Sequence, residues 1–479
     1  MSRALVVVVV GACAVGPNFH RPRPPLAKRY SHGGVRGTIA AGRVAQVVKP
    51  GAELAEEWWQ LFGSKQIDAM VTETLAHNPS LEAERASLRR SEYLLRAGYG
   101  VFFPQLDADA GATRQRFTPS RFGATTPPSE FNLYTLGGSL SYVLDVFGGE
   151  RRTVEGLRAQ VDVQCFTLTA ARLTLTANVV NTVIARAGYR AEIAATEELV
   201  KSLQQQVDIA EVQVKAGIAN TTTLLALRAQ LANTQALLPP LRQRQDQADN
   251  LLATLVGRTP AEVAPTELDL AKLVLPRDLP VSLPSRLVRQ RPDILIAEAT
   301  LHASSAQIGV ATAAMLPSFN ISGTLGFDSP KLRTLISQNS LFWSIGANLL
   351  APLFHGGTLN NQRKAAIEAY RQSLASYHDT VLRALADVAT SLQALQHDAE
   401  ALEARLRALT DATQSSQLTA TNYQAGTAGY LDLLVANVQL RQAQITALEI
   451  QAQRLQDTVA LFVALGGGWW SARRPVCAL

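Results

Sequence analysis

The stretch FNISGTLGF at residues 319–327 alternates between two kinds of side chain. Phe319, Ile321 and Leu325 fall on one face of an extended chain, and Asn320 and Thr324 on the other. A period of two is typical of a β-strand with one apolar and one polar face. A second alternating stretch follows at residues 343–349, after a loop that contains Pro and Ser. We therefore predict a β-hairpin over residues 318–352.

A related hairpin is predicted earlier in the chain, over residues 105–145. One of its strands has a clear apolar face, formed by Tyr134, Leu136, Gly138, Leu140, Tyr142 and Leu144. The other strand is weaker, with Leu106, Ala108, Ala110 and Ala112 on one face. The opposite face of that weaker strand carries Asp107 and Asp109. We interpret both as pore residues exposed to water, and not as a metal site.

The two hairpins belong to a duplication that spans most of the chain. Landmark residues recur in the same order and at a nearly constant offset: Pro79 and Pro292, Pro104 and Pro317, Gly148 and Gly356, Gly217 and Gly426, and Gly257 and Gly467. Such self-similarity indicates repeated structural units. We predict one unit over 63–256 and another over 286–465, each with a helix, a β-hairpin and a long helical hairpin.

Each helical hairpin is predicted mainly from a long stretch that lacks proline, residues 129–238 in the first and 353–474 in the second. Residues 150–256 and 358–465 carry apolar side chains at steps of three and four, which is the pattern of a coiled coil. A helix over 150–216 would be about 100 Å long, at 1.5 Å per residue. The first hairpin should turn at Gly217 and the second at 426–429, because glycine allows positive φ.

Prolines distinguish the two units from each other. Pro239 and Pro240 should kink or break the returning helix of the first unit, and the second unit has no counterpart. Five prolines fall within residues 257–285, which we interpret as an irregular linker between the units.

The amino terminus has the layout of a secretory signal. Arg3 precedes an apolar run, and small residues lead to Cys13 and then a proline-rich segment. We interpret 1–12 as a lipoprotein signal peptide, Cys13 as the lipidation site and 13–62 as a lipid-anchored arm. A buried first strand is the alternative, because the run is rich in valine. Residues 466–479 are predicted to form a short C-terminal tail.

Composition and motifs argue against several classes of function. The formal net charge is only +6 over 479 residues, so no nucleic-acid partner is expected. The seven histidines are scattered, and the sequence has neither a nucleophile-elbow nor a phosphate-loop motif. We expect no enzyme activity, no cofactor and no metal site. Among the three cysteines, Cys165 is interpreted as a buried packing residue, with a Cys165–Cys477 disulfide as the alternative.

Four strands cannot close a barrel by themselves. Eight strands give a barrel filled by its own side chains, and a wider lumen needs more. The strands must therefore form a small sandwich, or several chains must pool them. Two chains would supply eight strands and three would supply twelve. A conduit needs an open lumen, so it favours the barrel formed by three chains.

Short motifs along the chain resemble the TolC-like outer-membrane efflux proteins, and within them the NodT-type lipoproteins. The motifs are CAVGPNF at 13–19, WWQLF at 58–62, LDVFGGERR at 144–152, VKAGIAN at 214–220, LPPLRQ at 238–243, LVGRTP at 255–260, RPDI at 291–294, PLFHGG at 352–357 and ALGGGW at 464–469. Each motif is weak alone, but together they follow in order over nearly the full length.

This resemblance implies an α+β membrane protein that forms a homotrimer. Four strands from each chain would build a twelve-stranded β-barrel in the bacterial outer membrane, continuous with a long α-helical coiled-coil barrel in the periplasm. The protein would be lipid-anchored and in contact with outer-membrane lipid. Its partners would be a periplasmic adaptor protein and an inner-membrane pump of the resistance-nodulation-division type.

The resemblance also assigns two groups of residues at the periplasmic end. The adaptor-contacting tip would consist of Gly217, Ile218, Ala219, Asn220, Gly426, Thr427, Ala428 and Gly429. The periplasmic gate would consist of Leu431, Asp432 and Val435. The family often has a second Asp where this chain has Val435, and an Arg where it has Val438. We therefore expect this gate to depend more on apolar packing than on charge.

The resulting hypothesis is a passive exit duct for small toxic compounds or drugs in a tripartite efflux system. One alternative is an outer-membrane duct for protein secretion. Another is a structural coiled-coil envelope protein without a pore. The low methionine count is evidence against export of soft metal ions.

Overall fold

The computed structural model describes residues 14–471, apart from 28, 32–36, 43, 119–122, 124–126 and 263–267. The predicted signal peptide at 1–12, the predicted lipidation site Cys13 and Cys477 lie outside the described residues. The α-helices are α1 (Lys65–His77), α2 (Pro79–Gly98), α3 (Gly149–Lys215), α4 (Thr221–Gln235), α5 (Leu238–Leu255), α6 (Pro284–Leu287), α7 (Pro292–Ala313), α8 (Thr358–Gln424) and α9 (Tyr430–Ala464). The β-strands are β1 (Thr38–Ala41), β2 (Val44–Pro50), β3 (Gln105–Phe117), β4 (Ser129–Leu144), β5 (Asp278–Val281), β6 (Ser318–Ser329) and β7 (Leu341–Leu350).

The chain divides into two compact units, and several helices contribute residues to both. The first unit contains residues 1–22, 87–164 and 297–377, and the second contains 23–86, 165–296 and 378–479. Within the described residues, no helix combines the length and the apolar character that a transmembrane helix requires.

The first unit contains an antiparallel sheet in the order β3-β4-β6-β7. The register pairs Leu106 with Leu140 and Leu140 with Gly323, and Gly323 in turn pairs with Ile345. Side chains of the predicted apolar positions therefore share one face, and Asp107 and Ser139 share the other. Both predicted β-hairpins are confirmed, because each period-two stretch forms a strand and pairs with its neighbour.

Buried side chains anchor the helices of the first unit. Leu95 from α2 packs with Val154 and Val161 from α3 in one hydrophobic cluster. Proline begins α2 at Pro79 and α7 at Pro292, and the strands β3 and β6 each follow a proline directly. The repeated landmarks of the sequence thus mark equivalent element boundaries.

The long helices form the second unit's coiled-coil seams, as the step pattern predicts. A single cluster joins α3, α4 and α9 and contains Leu199, Leu203, Val207, Ala210, Leu224, Leu231 and Ile445. Trp58 and Trp59 are buried, and the ring centroid of Trp58 lies 5.6 Å from that of Phe462. Cys165 is buried as expected, but it is also disulfide-bonded, so its interpretation as a packing residue alone is wrong.

A three-stranded sheet in the order β1-β2-β5 is the main element that the sequence analysis misses. Strand β5 pairs in parallel with β2 and lies inside residues 257–285, so the prediction of an irregular linker is wrong there. Arg454 of α9 fastens this sheet to the helices. Its Nε donates to Gln46 Oε1 at 3.1 Å and its Nη2 donates to the Ile39 carbonyl at 3.1 Å.

The predicted break at the proline pair is confirmed. Helix α4 ends at Gln235, and α5 begins at Leu238 with prolines in its first turn. Proline lacks the N–H that a helix interior needs, but the first turn leaves its N–H groups without intrahelical partners. The returning limb of the first hairpin is therefore two helices, whereas α9 is one continuous helix of 35 residues.

Candidate functional site

The turn after α3 is built around Gly217, which has a φ of +74°. Its N–H donates to the Val214 carbonyl at 3.0 Å, and the Ile218 N–H donates to the Gln213 carbonyl at 2.9 Å. Backbone bonds of this kind satisfy carbonyls that a helix end leaves unpaired, and they require a residue in the left-handed region. Glycine is the residue that takes this conformation without a steric penalty from Cβ.

The turn after α8 repeats this arrangement in the second half of the duplication. Gly426 has a φ of +75°, its N–H donates to the Tyr423 carbonyl at 3.0 Å, and the Thr427 N–H donates to the Asn422 carbonyl at 2.9 Å. The two turns therefore share a backbone conformation and a hydrogen-bond pattern. The duplication therefore includes the backbone hydrogen bonds that terminate α3 and α8.

The helices that follow the two turns begin differently. Helix α4 is capped by Asn220, whose Oδ1 accepts from the Thr222 N–H at 3.0 Å. Helix α9 begins after Gly429, which has no side chain to act as a cap. Instead, Asp432 reaches back, and its Oδ2 accepts from the Gly429 N–H at 2.9 Å. A carboxylate in the first turn also interacts favourably with the helix dipole.

The predicted tip residues are mostly solvent-exposed in the chain. The apolar side chain of Ile218 has 79% of its surface exposed. Ala219 and its equivalent Ala428 are half-buried beneath their turns, whereas Gly217, Asn220, Gly426, Thr427 and Gly429 are exposed. Single exposed apolar side chains are common on protein surfaces, so the contact of these residues with an adaptor stays a prediction.

The predicted gate residues lie on the first turns of α9. Leu431 is half-buried, Asp432 is exposed and Val435 is 45% exposed, while Leu434 between them is buried. Asp432 and Val435 are three residues apart, so they lie on one face of the helix. The structure thus brings one charged and one apolar gate residue together on an exposed surface, and their roles in a gate stay predictions.

Polar links near the tip were not identified from the sequence. In the first hairpin, Arg228 Nη2 donates to Glu211 Oε1 at 2.5 Å, which lowers the pKa of Glu211. In the second hairpin, Ser416 Oγ donates to Asn437 Oδ1 at 2.7 Å. Ser416 and Asn437 lie 10 and 11 residues from Gly426, so pairing the two limbs around the predicted glycine would have found this link. Glu211 and Arg228 lie 6 and 11 residues from Gly217, and that unequal spacing gives no comparable signal.

Two carboxyl groups farther from the tip are held in unusual environments by the helices of the second unit. Burial, with Asp457 beside it, raises the pKa of Asp398 to about 7, although Arg454 acts in the opposite direction. Burial also raises the pKa of Glu192 to about 7, with Glu449 reinforcing the effect and Arg244 opposing it. Both groups would exchange protons near neutral pH.

The segment that follows Cys13 is tied to the start of α3. The Val15 N–H donates to the Phe147 carbonyl at 2.9 Å, and Arg152 Nη2 donates to Asn18 Oδ1 at 2.7 Å. Asp145 caps the same helix, accepting from the backbone N–H groups of Glu150 and Arg151 at 3.1 and 3.0 Å. Cys13 itself is outside the described residues.

The sequence profile of the outer membrane efflux protein family matches residues 70–258 and 283–467, which is most of the chain. This chain belongs to the outer membrane efflux protein family. The two matched segments correspond to the two repeats of the duplication, and each contains one β-hairpin and one helical hairpin.

Named relatives in this family align with nearly the whole chain. The pyoverdine export outer membrane protein OpmQ of Pseudomonas aeruginosa is 28% identical over 471 residues, covering 98% of this chain and 96% of OpmQ. Nodulation protein T of Rhizobium leguminosarum bv. viciae is 28% identical and covers 98% of this chain and 93% of that protein. The solved outer-membrane channel OprN has a TM-score of 0.83 at 26% identity, covering 95% of this chain and all of OprN.

Proposed function

We propose that this outer-membrane efflux protein is the passive exit duct of a tripartite system that expels small toxic compounds or drugs. The duct would be a homotrimer whose twelve pooled strands form a barrel in the outer membrane, with the helical barrel in the periplasm. It would be anchored by lipid on Cys13 and coupled to a periplasmic adaptor and an inner-membrane pump of the resistance-nodulation-division type. The protein itself would carry out no chemical reaction.

The observation that carries this proposal is the four-stranded sheet of the first unit. Among the described residues, β3 and β7 each pair with a strand on one side only. An unpaired strand edge is not tolerated in the hydrocarbon of a bilayer, because its N–H and C=O groups find no water there. Pooling strands from several chains removes the edges, and the apolar and polar faces are suited to a lipid-facing wall and a wet lumen.

The helical hairpins are a second observation that supports this proposal. A duct that reaches a partner needs a rigid stem, and α3 and α8 are single helices of 67 residues each. The matching turns at Gly217 and Gly426 would present six similar contacts to an adaptor in a trimer. The names of relatives, which mention pyoverdine export and antibiotic efflux, favour small molecules over secreted proteins as cargo.

Electron microscopy of the full-length protein, extracted in detergent from an outer-membrane fraction, tests the proposal. We expect a particle with threefold symmetry and a long hollow stem, and channels of uniform conductance when it is added to a planar bilayer. A monomeric rod without conductance would contradict the duct and support the structural coiled-coil protein instead.

A further inference from the structure

Basic side chains continue the apolar face of β3 beyond its last small residue. Along that face the residues are Leu106, Ala108, Ala110 and Ala112, followed by two arginines, Arg114 and Arg116. Both arginine side chains are exposed, at 76% and 64% of their surface. An abrupt change from small apolar residues to arginine on one face marks a boundary between two environments.

The position of this change along the strand is close to the thickness of a membrane. The strand begins at Gln105, immediately after the segment that joins it to α2, and Arg114 is its tenth residue. A tilted transmembrane strand needs about 9–11 residues to cross the hydrocarbon core. If Gln105 lies at the inner surface, Arg114 and Arg116 lie at the outer one, at the end of the sheet remote from the helices.

The arginines do not form a tight ion pair with one partner. The carboxylate of Glu130 on β4 lies between them, 3.5 Å from Arg114 Nη2 and 3.8 Å from Arg116 Nη1. One carboxylate shared by two guanidinium groups holds them side by side and, among the described residues, leaves one positive charge uncompensated. Both guanidinium groups are exposed, and a guanidinium offers paired N–H donors that match the oxygens of a phosphate.

Two more cations stand at the same end of the sheet. The register pairs Ser329 at the end of β6 with Tyr134, and Lys331 and Arg333 follow directly in an exposed loop. The loop is held in place by its own hydrogen bonds. Ser329 Oγ donates to the Lys331 carbonyl at 2.9 Å, and the Thr334 hydroxyl donates to the same oxygen at 3.1 Å. Leu332 and Ile336 in this loop are exposed apolar side chains, as expected at a lipid surface.

We propose that Arg114, Arg116, Lys331 and Arg333 form a binding surface for the phosphate groups of a glycolipid in the outer leaflet. This inference rests on the proposed function, because it requires the sheet to span the outer membrane with its helices on the inner side. Charge complementarity identifies the partner, since four cations outnumber the two carboxylates at this end of the sheet, Glu130 and Asp328, and meet a headgroup region that carries phosphates. Basic clusters near a membrane surface attract anionic lipids by about 1 kcal/mol for each Lys or Arg.

The test measures binding of diphosphorylated lipid A to the full-length detergent-solubilised protein by native mass spectrometry. The variant Arg114→Gln/Arg116→Gln should bind lipid A about thirtyfold more weakly, which is the fold-change that about 1 kcal/mol for each lost cation gives. Glu130→Gln removes the competing carboxylate and should bind it about threefold more tightly. The matched control Arg405→Gln/Arg407→Gln removes two exposed arginines from α8 and should bind like the wild type.

Lipid A stripped of its phosphates and phosphatidylglycerol serve as probes of specificity, and both should bind more weakly than diphosphorylated lipid A. Millimolar inorganic phosphate should not displace the bound lipid. Equal binding by the wild type and the double variant would overturn the proposal, as would weaker binding by Glu130→Gln. Planar-bilayer conductance of the same preparations separates the two proposals, because channels that conduct normally without selective lipid A binding would refute only this inference.

Discussion

Asp432 Oδ2 accepts a hydrogen bond from the backbone N–H of Gly429 at 2.9 Å, and so closes the start of α9. The residue predicted to supply charge to a gate therefore also stabilises the helix that carries the gate. Its equivalent in the first repeat is Thr223, where Asn220 caps the helix instead. The two repeats therefore cap the equivalent helices α4 and α9 with different side chains. Only the second repeat has a carboxylate in the first turn of the helix.

Substitutions at Asp432 can separate its capping role from its charge. Asp432→Asn keeps a hydrogen-bond acceptor and removes the charge, so stability should change little, whereas Asp432→Ala should cost about 1 kcal/mol. If the charge contributes to a gate, Asp432→Asn should raise the basal conductance in planar bilayers. Asn220→Ala, which removes the other cap, is the control and should reduce stability alone. Unchanged conductance in Asp432→Asn would leave the residue with only its capping role.

Gly426→Pro should disturb the second tip turn without affecting assembly. Proline cannot adopt a φ of +75° and has no N–H to donate to the Tyr423 carbonyl. We expect adaptor binding to fall at least tenfold while the trimer yield stays the same, measured by pull-down and by native electrophoresis. Gly51→Pro is a matched control, because Gly51 also has positive φ and a bonded N–H but lies beside β2. Equal loss of assembly and adaptor binding in Gly426→Pro would contradict the tip assignment.

Stability should fall as the pH rises from about 4 to about 7. An unfolded aspartic acid titrates near 4, whereas the folded chain raises the pKa of Asp398 to about 7, so the folded state holds the proton more tightly in between. Thermal unfolding in detergent at pH 5 and pH 8 should show this loss as a lower melting temperature at pH 8. Asp398→Asn should reduce the difference, and Asp411→Asn, an exposed carboxyl on the same helix, should not. If Asp398→Asn and Asp411→Asn lose the same stability between pH 5 and pH 8, the assignment of this pH dependence to Asp398 is contradicted.

The seam between α3, α4 and α9 should account for much of the stem's stability. Leu231 is 8% exposed and packs in the seam, while Leu225 on the same helix is 57% exposed. Leu231→Ala should cost about 2–4 kcal/mol, because it leaves a cavity in a packed core. Leu225→Ala is the control, and in the isolated chain its expected cost is at most about 0.5 kcal/mol. Denaturant unfolding measures both, and similar losses would mean that Leu225 is buried against another chain.

The sequence predicts the long elements well because their signal is periodic and local. The strands at 319–327 and 343–349, the 67-residue helices and the turns at Gly217 and Gly426 all follow from spacing and from glycine chemistry. Strand β5 could not be predicted from local periodicity, because it is short, contains a proline and pairs with a strand in the distant amino-terminal part of the chain. The burial of Arg454, which is 1% exposed, could not be predicted in this way either, because its partners come from that same distant sheet.

The two-residue interruption between α4 and α5 gives the two hairpins different mechanics. A force applied at Gly426 travels along α9 through one unbroken ladder of backbone hydrogen bonds. A force applied at Gly217 returns through a joint at residues 236–237, where the ladder is incomplete and the prolines of α5 offer no N–H to restore it. The returning limb of the first hairpin, formed by α4 and α5, is therefore more compliant than α9, the returning limb of the second hairpin. Under a load applied at the tip, bending would concentrate at the joint between α4 and α5, whereas α9 has no such joint.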